Sequence, residues 1–191
     1  TNPPHGIVGG IYLDFGAWDF KVYRNVVSDV NTFGVFFHSY NLFTHAYNNT
    51  FYNTSKFRMK DDGGALDAYG TRVINNISYD DVRIAPGFGI LEKNNFKSGD
   101  PLFADAANGN FTLQASSGAI DAGAEIDGIT DGYQGGAPDI GAFESGAPAW
   151  AAGHDFANPP DPGFTTVNIP YHTLLVNGFF ERETDTVGGW T

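Results

Sequence analysis

Short runs in which apolar and polar residues alternate are interrupted four times by an asparagine set among β-branched or aromatic neighbours. The four phrases are VYRNVV (Val22 to Val27), AYNNTF (Ala46 to Phe51), VINNIS (Val73 to Ser78) and LEKNNF (Leu91 to Phe96). Aligned at the second polar position, Asn25, Asn49, Asn76 and Asn95 follow one another at steps of 24, 27 and 19 residues, the range of one coil of a β-solenoid. GGIYLDFG (Gly9 to Gly16) and FGVFFHSY (Phe33 to Tyr40) are each entered through glycine and carry alternating apolar residues, which predicts a second strand in each coil. No stretch of about a dozen residues holds a 3.6-residue apolar period, so almost no helix is expected. FRMKDDGGALDAYG (Phe57 to Gly70) breaks the period and is expected to project as a loop, the kind of segment in which function tends to sit.

Asparagine at one place in successive coils has a physical use. Side-chain amides stacked about 4.8 Å apart can hydrogen-bond to one another and to the backbone at a sharp inward turn. Asparagine also serves ordinary turns of all-β proteins, but four returns in a constant setting favour a ladder.

Composition fits one β domain. The chain has 191 residues, 41% hydrophobic and 15% aromatic, with 25 Gly and 10 Pro, enough for one continuous core with frequent turns. Twenty-two acidic against ten basic residues give a net charge of -12, which repels a nucleic-acid duplex. Cysteine is absent, so no disulfide or thiol chemistry is expected, a usage that fits a bacterial secreted or surface protein. No signal peptide or membrane-spanning run is seen. The chain opens at TNPPHGIVGG, already inside what reads as a coil, which suggests that further coils precede it or that another chain covers that end.

The segment SGDPLFADAANGNFTLQASSGAIDAGAEIDG (Ser98 to Gly128), followed by GGAPDIGAFE (Gly135 to Glu144), resembles the C-terminal closing region of bacterial secreted right-handed parallel β-helix proteins. The carrying phrases are DPLF (Asp100 to Phe103), the NGNFTLQ strand (Asn108 to Gln114), the S-x-AIDAG turn (Ser117 to Gly123) and the DIGAFE strand (Asp139 to Glu144). Such tails occur on polysaccharide lyases, glycoside hydrolases and surface proteins. The resemblance implies an all-β, right-handed parallel β-helix over residues 1–145, with the closing region expected to cover one end of the stack. Residues 146–165, rich in Gly, Ala and Pro, read as a linker. In residues 166–191, LLVNGFFE followed by GGWT resembles the first strand of a carbohydrate-binding jelly-roll module. That tail is too short to close a sandwich, so it is either an incomplete module or a strand exchanged with a partner.

Enzymes of this architecture bind polysaccharide along one sheet, with charged residues projecting from adjacent coils. Hydrolysis needs two carboxyl groups about 5 to 9.5 Å apart, and Asp14 and Asp19 in IYLDFGAWDF are candidates, with Trp18 and Tyr40 as sugar-stacking surfaces. Asp14 and His38 lie 24 residues apart, the same step as Asn25 to Asn49, so they are expected to stack on one face. A carboxylate beside a histidine fixes its tautomer and suits it to acid or base work. His45 opens the next strand. Elimination needs instead a base and a cation near a uronate carboxylate, and Lys56, Arg58 and Lys60 alternate as a basic strip. Asp61, Asp62 and Asp67 in a Gly-rich loop offer oxygen ligands to Ca²⁺, although such clusters also make plain turns; otherwise no cofactor is implied. Asn48, Asn53, Asn76 and Asn110 head glycosylation sequons. The function expected is extracellular or cell-surface polysaccharide binding, with degradation as a glycoside hydrolase or lyase. The competing expectation is a structural or adhesive protein assembling as a fibre or homo-oligomer through end stacking or strand donation.

Overall fold

A computed structural model describes residues 9–54, 57–60, 68–78, 82–83 and 90–148, with only the backbone at 57–60 and 82–83. These lie in one compact unit, Thr1–Ala152. Most of the expected linker and all of residues 166–191 lie outside the described residues, as do Lys56, Asp61, Asp62 and Asp67.

The described chain is all-β, with a single short 3₁₀ turn at Ala106–Asn108. Eleven strands form three sheets in which every third strand pairs with the next. The first sheet holds β1 (Gly9–Leu13), β4 (Phe33–His38), β7 (Phe57–Lys60) and β10 (Val82–Arg83). The second holds β2 (Lys21–Tyr23), β5 (His45–Tyr47), β8 (Arg72–Ile74) and β11 (Leu91–Lys93), and the third β3 (Val26–Ser28), β6 (Thr50–Tyr52) and β9 (Ile77–Ser78). All their pairings are parallel. FRMK, expected to open a projecting loop, is therefore a strand: its alternation matches β4, with Val35 opposite Phe57 and Phe37 opposite Met59.

One core takes residues from all three sheets: Val35 and Phe37 from the first, Val22, Ala46 and Val73 from the second, and Phe51 from the third. The first and third sheets approach too closely for side chains at the glycines that open the strands. A Cβ at Gly34 would stand 2.5 Å from the Phe51 ring, and one at Gly10 would stand 2.5 Å from Val27.

The first three asparagine phrases are each two strands joined by a corner rather than one strand, and the fourth joins β11 to a single bridge at Phe96. Arg24, Asn48, Asn75 and Asn94 take left-handed backbone conformations, with φ of 52, 48, 60 and 50°, which bend the chain from the second sheet into the third. The asparagine that follows sits inside the corner. Asn25 donates to Asn49 Oδ1 at 2.9 Å, Asn49 to Asn76 Oδ1 at 2.8 Å and Asn76 to Asn95 Oδ1 at 2.9 Å. Each accepting Oδ1 also takes a backbone N–H of the preceding repeat. Corner and ladder together satisfy groups that the bend removes from the sheets.

The outer side of the corner holds the closing region. Arg24 donates to the Ile129 carbonyl at 2.6 Å, Asn48 to that of Asp139 at 2.9 Å, Asn75 to that of Ala124 at 2.7 Å and Asn94 to that of Ala122 at 2.7 Å. Residues from 122 to 139 therefore run along the side of the repeats, where one end had been expected. Two apolar clusters seal this contact: Ile77 with Phe103, Phe111, Ala119 and Ile140, and Tyr47 and Ile74 with Ile129. DPLF and NGNFTLQ form an antiparallel pair, β12 (Phe103–Asp105) with β13 (Asn110–Leu113). DIGAFE is not a strand. Its carboxylates bind backbone N–H groups instead: Asp139 accepts from Asp121 and Ser145, and Glu144 from Gln134 and Asp139, while Asp121 of the S-x-AIDAG turn accepts from Gly136 and Ala137. Burial pushes the Glu144 carboxyl above its ordinary range.

Candidate functional site

Parallel pairing of β1 with β4 sets Leu13 opposite Phe37, so the next residues, Asp14 and His38, meet across the repeats. His38 Nδ1 lies 2.8 Å from Asp14 Oδ1. Tyr12, two residues before Asp14 and on the same face, completes the group: its hydroxyl donates to Asp14 Oδ1 at 3.0 Å and lies 3.1 Å from His38 Nδ1. The Phe15 backbone N–H adds a further donor to the same oxygen at 2.8 Å. The hydrogen bond from His38, then those from the Phe15 backbone and Tyr12, hold the Asp14 carboxyl below its ordinary value of 3.8. Asp14 is thus a carboxylate at neutral pH. As an acceptor beside Nδ1 it assigns the ring proton to Nδ1 and the lone pair to Nε2.

Register continues the column. His38 is opposite Lys60, Phe36 opposite Arg58, and Arg58 opposite Arg83. The sequence thus brings one carboxylate, one imidazole and three basic positions to successive strands of one sheet. Tyr12 packs at 5.2 Å from Phe36 and 5.9 Å from Phe33, and Phe36 at 5.3 Å from His38, an aromatic floor that restrains the imidazole.

The turn after β4 forms the rim. Tyr40 has φ 58°, an uncommon conformation for a bulky residue. Buried Asn41 holds it by donating to the carbonyls of His38, Ser39 and Leu13. Exposed Trp18 donates to the Tyr40 carbonyl at 2.9 Å, and the Phe15 and Tyr40 rings lie 4.8 Å apart. Trp18 and Tyr40 are therefore brought together at the turns that follow the Asp14–His38 strands. Sequence reading missed Tyr12 and Asn41. The alternation that puts Tyr12 on the face of Asp14 was a usable signal; the buried role of Asn41 had none.

His45 belongs to another sheet. Asp19 sits in a left-handed turn, φ 58°, and its charge acts on His45, which opens β5 in the second sheet. Among the described residues no three His, Asp or Glu side chains gather as metal ligands, and no helix is long and apolar enough to cross a membrane. Of the sequon asparagines, Asn48 and Asn76 are buried, whereas Asn53 and Asn110 are exposed.

Comparison with known protein families, with characterised proteins and with solved structures finds no match to this chain.

Proposed function

We propose that the three sheets are the faces of a right-handed parallel β-helix, and that the protein acts outside the cell on an acidic polysaccharide by β-elimination. The helix reading is supported by strand orders that rise by three in every sheet and by a core fed from all three. The observation that carries the activity is the Asp14–His38 contact at 2.8 Å on an outward face, with the Asp14 side chain 68% exposed.

In this mechanism His38 Nε2 removes the proton from the carbon next to a uronate carboxylate. The electron pair forms a carbon–carbon double bond as the neighbouring bond to the glycosidic oxygen breaks, and solvent protonates that oxygen. Asp14 orients the ring and stabilises the imidazolium. Lys60 and Arg58, at adjoining register positions, supply positive charge for the carboxylate as negative charge spreads onto it. Elimination is preferred to hydrolysis here because His38 supplies a base and basic residues occupy the adjoining register positions. Trp18 and Tyr40 provide the sugar-stacking rim.

The test is incubation of the intact protein with polyuronates, read by the ultraviolet absorbance of unsaturated sugar ends. Wild-type protein should generate them, and His38→Ala should be slower by about 100-fold or more with its fold unchanged by circular dichroism. Unsaturated ends formed at the wild-type rate by His38→Ala would remove the base; reducing ends without unsaturation would replace elimination by hydrolysis.

A further inference from the structure

The second sheet carries an outward column that the His38 site does not use. Lys21, His45 and Arg72 are register partners on β2, β5 and β8, about 4.8 Å from strand to strand. Lys21 and Arg72 are exposed and His45 is half-buried. Among the described residues neither Lys21 nor Arg72 has a salt bridge to a carboxylate; Arg72 bonds the Tyr47 hydroxyl. The Nδ1 atom of His45 is buried with no hydrogen-bond partner, while its ring stacks on Tyr47 at 5.3 Å.

That arrangement is unfavourable by itself. Lys21 and Arg72 flank His45 on the two neighbouring strands, so their positive charges oppose its protonation, and a buried ring nitrogen without a partner loses its hydration. Burial, with Arg72 and Lys21 nearby, pushes His45 below its ordinary 6.5, against the opposing charge of Asp19. An anion held between Lys21 and Arg72 would offset their positive charges and favour protonation of His45. On the same face and two residues from Lys21, the Tyr23 ring is 47% exposed and offers a flat apolar surface beside the charges.

We propose that Lys21, His45 and Arg72, with Tyr23 beside them, form a binding strip for the carboxylate groups of an acidic polysaccharide. Lys21 acts as a point charge, Arg72 offers paired N–H donors, and His45 donates when protonated. The ligand class is that of the preceding reading, but the strip uses another sheet and is independent of His38. A bound carboxylate favours imidazolium, so binding strengthens as pH falls toward the lowered titration range of His45. The groups facing His45 are Lys21, Arg72, Asp19 and Tyr47.

The test is calorimetric titration of the intact protein with an oligouronate, a sulfated oligosaccharide and an oligonucleotide of equal charge, alongside NMR of the His45 ring. The oligouronate should bind and shift the His45 signals. Lys21→Gln with Arg72→Gln should weaken it at least tenfold, Arg72→Lys, which keeps the charge but not the paired donors, should weaken it less than Arg72→Gln, and His38→Ala should leave the His45 response in place. Unmoved His45 signals, undiminished affinity in the double variant, or preference for the sulfated chain or the oligonucleotide would overturn the strip. Failure to cleave polyuronate while His45 still responds would instead refute elimination and leave the strip standing.

Discussion

Asp14 shows how one atom gathers a site. Its Oδ1 accepts from Tyr12, from the Phe15 backbone and from the His38 ring, and the His38 bond does most to favour the ionised form. Because the folded state prefers the carboxylate, this contribution to stability is complete above the ordinary value of 3.8 and disappears as pH falls through the lower folded value. NMR titration of the Asp14 carboxyl should give a midpoint below 3.8, and His38→Ala should move it upward; a midpoint unchanged by that substitution would mean that the contact does not persist in solution. His45 carries the opposite sign of burden. Its lowered value means that the folded state resists protonation, so stability falls as pH drops from 6.5 toward the folded value. His45→Gln should flatten that part of the stability–pH curve, measured by urea unfolding across the same range.

At the scale of elements, the corner between the second and third sheets contributes more than the strands, which are only two or three residues long there. Asn49 is fully buried and bonds Asn25, Asn76 and the Val22 carbonyl. Asn49→Ala leaves several buried donors and acceptors unpaired and should cost about 3 kcal/mol. Asn25 is only partly buried and has a ladder neighbour on one side among the described residues, so Asn25→Ala should cost about 1 kcal/mol. Urea denaturation of both variants checks the ordering, and equal losses would deny the ladder its cumulative character. The doubled asparagines were legible in part: the second of each pair marked the ladder, while the first, which takes the left-handed conformation, passed as strand because its partners lie far along the chain.

At the scale of the whole molecule, the closing region acts as a strap along the repeats. Arg24, Asn48, Asn75 and Asn94 reach its carbonyls from four successive corners, and its carboxylates hold its own turns. Asp139 is 1% exposed and accepts two backbone N–H groups, one on each oxygen. Asp139→Asn turns one of those acceptors into a donor facing a donor, which should cost about 2 kcal/mol. Hydrogen exchange should quicken across residues 119–145 before it quickens at Asn49 and Asn76; uniform acceleration would show that strap and repeats open as one unit.

The sequence by itself determined what repeats locally. Alternation marked the strands around Gly9 and Phe33, the recurring asparagine marked the corners, and a shared 24-residue step set Asp14 over His38, because parallel register converts a constant step into stacked side chains. Only the tertiary structure decided what depends on direction after a turn or on distant partners. Asp19 came within reach of His45, FRMK found β4 as its neighbour, and DIGAFE gave up strand pairing to bind backbone amides. The closing region settled along the corner because Arg24, Asn48, Asn75 and Asn94 present their side chains there, a row created when separate repeats are stacked and visible in no one of them.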